Sequence, residues 1–153
     1  MVWKMNELRD LYQEVILDHN KRPRNFREIT PSTHHARGYN PLCGDQIEVW
    51  LNVQNDIIQD IGFTGHGCAI STASASLMTE ALRGKSVKEA LDLFDTIRTM
   101  ATTDAPTLMP SGKLAVLAGV RQFPARVKCA TLAWHTLTAA LARQEKTIST
   151  EEA

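Results

Sequence analysis

Gln46-Ile47-Glu48-Val49-Trp50-Leu51-Asn52-Val53 alternates without a break. Ile47, Val49, Leu51 and Val53 fall on one face; Gln46, Glu48, Trp50 and Asn52 fall on the other, the pattern of a strand with one buried side. Gln54-Asn55-Asp56 supplies turn residues, and a second β run covers Ile57 to Thr64 with Ile57, Ile61 and Phe63 directed inward. Two such runs joined by a turn make an antiparallel hairpin. A short strand at Ala36 to Tyr39 adds a third member, so a small three-stranded antiparallel sheet is expected.

On both sides of this sheet the apolar period changes to that of a helix. Upstream, Leu8, Leu11, Tyr12, Val15 and Ile16 recur at helical spacing, with Asn6 as N-cap and an end near Asn20 imposed by Pro23. Downstream, Ile70, Leu77, Met78, Ala81 and Leu82 form a helix that stops at Gly84, a glycine well placed as a C-terminal cap. Ser86 and Glu89 read as a capping box for the next helix, whose apolar face is Val87, Ala90, Leu91, Phe94 and Ile97. A polar connection from Thr102 to Gly112 leads to a short helix near Leu114 to Val120. A last helix begins at Pro124 and carries Val127, Leu132, Trp134, Leu137 and Leu141 to about Gln144. Strands segregated from about five helices define an α+β fold. The 153 residues read as one domain, 1–153, with an ordered core over about 6–144 and a frayed end at Glu151-Glu152-Ala153. A chain of this length buries roughly 70% of the surface its unfolded form exposes, enough for a core without staples.

Composition narrows the partners. Seventeen basic side chains balance seventeen acidic ones, so net charge gives no reason to expect nucleic acid or an anionic membrane. Local basic patches remain, notably Lys21-Arg22-Pro23-Arg24, either a contact for an acidic partner surface or a solvated turn. The stretch Met1-Val2-Trp3-Lys4-Met5-Asn6-Glu7 lacks the layout of a signal peptide, and no apolar run approaches the roughly 20 residues that span a bilayer. The expected compartment is the cytoplasm, where thiols stay reduced and cysteines serve metals or chemistry more than disulfides.

Three cysteines and an aspartate carry the chemistry: Cys43-Gly44-Asp45, Cys68 after Gly65-His66-Gly67, and Cys129 in Arg126-Val127-Lys128-Cys129. Gly44 can take backbone angles closed to other residues, which lets Cys43 and Asp45 point at one ion. Cys68 falls where a strand hands over to a helix, and a helix N-terminus favours the thiolate. Cys129 lies near the start of the last helix. Three thiolates and a carboxylate suit tetrahedral Zn²⁺. Such an anionic set calls for cations, and Arg126 and Lys128 flank Cys129; the Arg126 fork could hold Asp45 or a thiolate in place. The plainer alternative is three buried cysteines, free cysteine being among the most buried residue types.

Other residues read more simply. His66 is a polar loop residue near the site, His135 a surface or hydrogen-bonded helix residue, His34-His35 a solvated pair, and His19 a packing or capping group. Ser71, Ser74 and Ser76 have no base and acid assigned to them, so no serine nucleophile is expected. Met78 and Trp134 belong to the core.

Four segments together resemble the U-type iron–sulfur assembly family, specifically its SufU branch: Asp18-His19-Asn20-Lys21-Arg22-Pro23-Arg24-Asn25, Asn40-Pro41-Leu42-Cys43-Gly44-Asp45, Gly65-His66-Gly67-Cys68-Ala69-Ile70-Ser71, and Arg126-Val127-Lys128-Cys129-Ala130-Thr131-Leu132-Ala133-Trp134. The resemblance spans about Asn6 to Gln144. It implies an α+β fold, a metal site of Cys43, Asp45, Cys68 and Cys129, and as partner a pyridoxal-phosphate cysteine desulfurase of the SufS-like kind, with downstream iron–sulfur assembly or apo-acceptor proteins beyond it. Cys43 is implied as the persulfide acceptor and Arg126 as the residue that steers ligand exchange by pairing with Asp45. Two departures set the chain apart from IscU-like scaffolds: Lys128 stands where those carry His before the last cysteine, and the stretch between Cys68 and Cys129 is longer. Their Leu-Pro-Pro-Val-Lys chaperone motif is absent; Phe123-Pro124-Ala125-Arg126-Val127-Lys128 occupies that region. Three functions follow in order: a zinc-dependent sulfur acceptor rather than a stand-alone enzyme, a scaffold that builds a transient [2Fe–2S] cluster or holds iron on the same ligands, and a structural zinc module for protein interaction.

Overall fold

The computed structural model describes residues 5–102, 114, 117, 120, 124–142 and 148–149. Helix α1 (Met5–Lys21) leads into strands β1 (His34–Asn40), β2 (Asp45–Gln54) and β3 (Ile57–His66). Helices α2 (Ala69–Leu82), α3 (Val87–Thr102) and α4 (Pro124–Leu141) follow, and a two-residue strand β4 (Ile148–Ser149) closes the order. The sheet runs β3-β2-β1-β4, with the first three strands antiparallel and β4 parallel to β1. The expected three-stranded antiparallel sheet is thus present, with a short fourth member that the weak local pattern near Ile148 did not announce. The connection 103–113, most of the short helix expected at Leu114 to Val120 and the C-terminal 150–153 lie outside the described residues; Leu114, Leu117 and Val120 themselves are buried.

The hairpin forms as its sequence dictates. Asn55 and Asp56 both take positive φ, 52° and 62°, which gives the two-residue turn whose twist matches the flanking strands. Val49, Leu51, Ile61 and Phe63 are buried on the inner face. Two positions depart from simple alternation. A bulge at Asn52/Val53 shifts the register, so Ile58, and not Ile57, enters the core. Trp50, assigned to the outer face, is also buried. Its ring stacks on His35 at 5.1 Å and 14°. Gly62 lies opposite it in the register, and a Cβ there would strike the Arg27 carbonyl and Ile29, so the chain after α1 passes over that part of the outer face.

Helices α2 and α4 cover the inner face, α1 packs on α2, and α3 packs on α4. α2 is enclosed along most of its length: Ala73, Ser74, Ala75, Ser76, Leu77, Met78 and Thr79 are all buried. Its serines make the polar ties of the core. Ser74 Oγ accepts the Trp134 indole N–H at 3.1 Å, and Ser76 Oγ meets His19 Nδ1 at 2.7 Å while accepting the Arg24 amide at 2.8 Å. His19 is therefore a packing residue, as its sequence setting suggested. Gly84, at φ 87°, ends α2, and Ser86 and Glu89 exchange the two bonds of the capping box. Asn6 lies inside α1 and not at its cap, and Leu91 faces solvent, while Ala90, Phe94, Ile97 and Met100 are buried on α3. Each large apolar side chain buried this way stabilises the fold by about 1.5–3 kcal/mol.

Candidate metal centre

The site forms where the β1–β2 turn, the β3–α2 junction and the first turns of α4 meet. Asn40 closes β1, and its carbonyl accepts the Gly44 amide at 2.8 Å, which folds residues 41–44 into a tight turn. Gly44 sits at φ 72°, the left-handed region, so the backbone reverses between Cys43 and Asp45. Cys43 is half-buried on this turn beside Leu42, which is 68% exposed, whereas Asp45, the first residue of β2, is wholly enclosed.

One ligand atom from each of Cys43, Asp45 and Cys129 lies within 4.8 Å of the others. The Cys129 thiol donates to Cys43 Sγ at 3.3 Å. Cys68 flanks this cluster but is not part of it. It is the N-cap of α2, where its Sγ accepts the Ser71 amide at 3.4 Å. Its own backbone N–H donates to Asp45 Oδ1 at 2.8 Å. The three cysteines are free thiols.

Hydrogen bonding sets the protonation of the sulfurs. The Cys129 thiol, more than any other group, brings the Cys68 pKa down to about 6, assisted by the Ser71 amide and opposed by burial and the Asp45 charge. The same bond to Cys68, then burial, then Asp45 and Cys43 push the Cys129 thiol up. The two titrations are thereby driven apart, Cys68 toward the thiolate and Cys129 toward the thiol. The Arg126 guanidinium is held even more firmly charged by hydrogen bonding to Cys129 and by the neighbouring sulfurs. Arg126 is exposed, and its Nη1 lies 3.9 Å from Cys43 Sγ. The contact found for it is with thiols, the second of the two roles its fork allowed; a pairing with Asp45 is not among the described contacts.

Both Asp45 oxygens are engaged: Oδ1 by the Cys68 amide and Oδ2 by the Asn40 side-chain amide at 3.2 Å. Asn40 Nδ2 also reaches Cys129 Sγ at 3.4 Å. Sequence reasoning passed over Asn40, whose one local signal is a polar turn-forming residue ahead of Pro41. It also gave Gly67 no role, yet a Cβ there would run into Asp45 Oδ1. Two sulfurs, of Cys43 and Cys129, and one enclosed, hydrogen-bonded carboxylate form a donor set that fits Zn²⁺, and equally a soft iron centre, with the Cys68 sulfur flanking it.

The remaining candidates lie elsewhere or are engaged. His66 ends β3 with its side chain in solvent, and His35 is taken up by Trp50 and by Glu48 at 2.8 Å. His135 is half-buried on α4 against the Phe94 ring at 5.0 Å. In the basic patch, Arg22 and Arg24 both pair with Asp18, at 3.1 and 2.8 Å.

Comparison with known proteins agrees with this geometry. The NifU-like N terminal domain family matches residues 11–150, so the chain belongs to that family, the U-type proteins of iron–sulfur assembly. Two relatives share the chain nearly end to end. The iron–sulfur cluster assembly scaffold protein IscU of Streptococcus pyogenes serotype M1 is 42% identical, over 91% of this chain and 87% of that protein. The zinc-dependent sulfurtransferase SufU of Bacillus subtilis (strain 168) is 40% identical, over 88% and 92%. The crystal structure of a SufU from Fervidobacterium islandicum AW-1 superposes with a TM-score of 0.77 at 35% identity, covering 86% of this chain and 97% of that one. A NifU-like protein from Brucella abortus, at 22% identity and a TM-score of 0.79, shares the fold. Among the described residues no helix is long and apolar enough to cross a membrane.

Proposed function

We propose that the protein is a zinc-dependent sulfur acceptor in iron–sulfur cluster assembly, with Cys43, Asp45, Cys68 and Cys129 as the metal ligands and Cys43 as the acceptor. The observation that carries this reading is the asymmetry of the donors. Cys43 is a half-buried thiol on a surface turn, while Asp45 and Cys129 are enclosed and tied by hydrogen bonds. A donor on an exposed turn sits beside two enclosed ones, and Cys68, half-buried like Cys43, is tied down as the N-cap of α2. Bound zinc would keep its sulfur ligands as thiolates at neutral pH, which a free thiol with a pKa near 8.5 largely is not. The transfer itself needs no outside oxidant. The Cys43 thiolate attacks the outer sulfur of a donor persulfide; the new S–S bond forms as the donor's S–S bond breaks, and the donor departs as a thiolate. Arg126, at 3.9 Å, supplies positive charge to both the incoming and outgoing anions at Cys43. The sulfur donor is a pyridoxal-phosphate cysteine desulfurase, SufS-like in kind, and the work is done in the cytoplasm by a single domain. Zinc-dependent sulfur transfer is what the name of the Bacillus relative describes.

Protein purified without added metal should contain one zinc per chain. With a desulfurase and ³⁵S-cysteine it should acquire label that reductant removes, and Cys43→Ala should acquire none while retaining its fold. A Cys43→Ala protein that takes up label as wild type does would end this reading.

A second reading, a scaffold for a [2Fe–2S] cluster as cargo on the same ligands, is favoured by the name and 42% identity of the Streptococcus relative. Anaerobic reconstitution with ferrous iron and sulfide, followed by transfer to an apo-ferredoxin, separates the two. Cluster transfer faster than sulfur acceptance would favour the scaffold.

A further inference from the structure

The β1–β2 turn carries Cys43, yet the residue that organises this region is Asn40, which nothing above assigns a role. It is completely buried, and its side-chain nitrogen lies between two donors, 3.2 Å from Asp45 Oδ2 and 3.4 Å from Cys129 Sγ. Its side-chain oxygen accepts the Leu42 amide at 3.3 Å, and its backbone carbonyl accepts the Gly44 amide at 2.8 Å. One residue therefore spans three of the parts that must be arranged: the turn bearing Cys43, the first residue of β2, and the buried sulfur of α4.

We propose that Asn40 is a positioning residue that fixes Asp45 and Cys129 as the immobile half of the donor set, so that exchange falls on the half-buried sulfurs, Cys43 among them. The inference rests on the four-donor reading above and deepens it. An amide N–H pointing at a buried carboxylate and a buried sulfur restricts both to one orientation, and it stabilises negative charge on each without adding a formal charge to the site. A lysine in the same place would supply a cation able to compete with the metal. An alanine would leave Asp45 Oδ2 without that donor in an enclosed setting, where an unmet acceptor costs free energy. Residues that orient metal ligands in this way typically change affinity by about 10- to 100-fold when removed.

Two substitutions separate positioning of the donors from shaping of the turn. Asn40→Ser keeps a short oxygen that can accept the Leu42 amide but cannot reach Asp45 or Cys129. Asn40→Ala removes both functions. In zinc competition against a chromophoric chelator, both variants should bind about 10- to 100-fold more weakly than wild type. Loaded with Co²⁺, both should show altered d–d bands. In metal-free protein, both should expose Cys129 to iodoacetamide, with alkylation at that site, mapped by mass spectrometry, faster than in wild type. Should neither variant fold, the wild-type protein still decides: the Asn40 side-chain amide protons, seen by ¹⁵N-asparagine labelling, should exchange slowly and shift on addition of zinc. An Asn40→Ser protein equal to wild type in zinc affinity, cobalt spectrum and Cys129 alkylation would overturn the proposal. So would fast-exchanging, unshifted amide protons in the wild type. Failure of the four-donor reading looks different: the wild type itself takes up neither zinc nor cobalt, and the metal-free alkylation rates then decide the role of Asn40 alone.

Discussion

Gly67 decides how closely the chain can pass Asp45. A Cβ at this position would fall inside the van der Waals envelope of Asp45 Oδ1 and press on its Cγ and Cα. The carboxylate has little freedom to yield, because the Cys68 amide and Asn40 hold its two oxygens. Gly67→Ala must therefore displace either the carboxylate or the N-terminal end of α2, an overpacking that costs about 1–3 kcal/mol. The expected outcome is a folded protein with a slightly lowered melting temperature that has lost most of its zinc on purification. Full zinc occupancy in Gly67→Ala would show that Asp45 does not have to stay where the structure puts it. The presence of this glycine beside a cysteine was visible in the sequence, but its reason was not. Which atom a missing Cβ would meet depends on the pairing of Gln46 with His66 across the strand register, which one chain read alone does not supply. Asn40 was opaque for the same cause: its partners, Asp45 and Cys129, are brought to it by the β1–β2 turn and by α4.

At the scale of elements, what was legible was whatever local periodicity decides. The hairpin, the glycine that ends α2, the capping box of α3 and the proline that opens α4 all stand where the sequence put them. The misplacements come from tertiary packing: the bulge that turns Ile58 inward, the burial of Trp50 under His35 and the chain after α1, and the exposure of Leu91. The contact of α3 with α4 holds a further consequence. His135 on α4 is half-buried against Phe94, and Arg98 of α3 stands over the same ring at 5.6 Å. Burial first, and Arg98 second, hold the His135 pKa below its ordinary 6.5. The unfolded chain then takes up a proton at this residue at a higher pH than the folded one does. Stability contributed by the neutral ring is complete above about pH 6.5 and is lost as pH falls through the lowered folded value. His135→Gln cannot titrate, so the gap between its urea midpoint and that of wild type should change between pH 7.5 and pH 5.5, moving in favour of the variant at the lower pH. Midpoints that fall in parallel over that interval would show that His135 is not the group responsible.

At the scale of the whole molecule, the residues that hold the fold and those that hold the site are largely different. The enclosed apolar core of Val49, Leu51, Ile61, Leu77, Met78, Trp134 and Leu137 includes none of the proposed metal ligands. The four proposed donors instead lie at one end, from segments far apart in sequence: Cys43 and Cys129 are 86 residues apart, and Asp45 and Cys68 are 23 apart. A zinc bound there would stabilise the chain only by mass action, about 4 kcal/mol at a free concentration of 1,000 times its dissociation constant. In a domain of 150–250 residues each kcal/mol moves the melting temperature by about 2–4 °C. Chelation with excess EDTA should therefore lower the midpoint by several degrees, while leaving a single cooperative transition and the near-ultraviolet circular dichroism of the buried tryptophans. The outcome matters for function, because a donor set from which Cys43 can be released requires a fold that survives when its ligands are loosened. A structural zinc module behaves oppositely, since there the binding free energy is folding free energy and the apo chain is unfolded. Loss of near-ultraviolet signal at 25 °C on chelation would place this protein in that class and remove the basis for sulfur acceptance at Cys43.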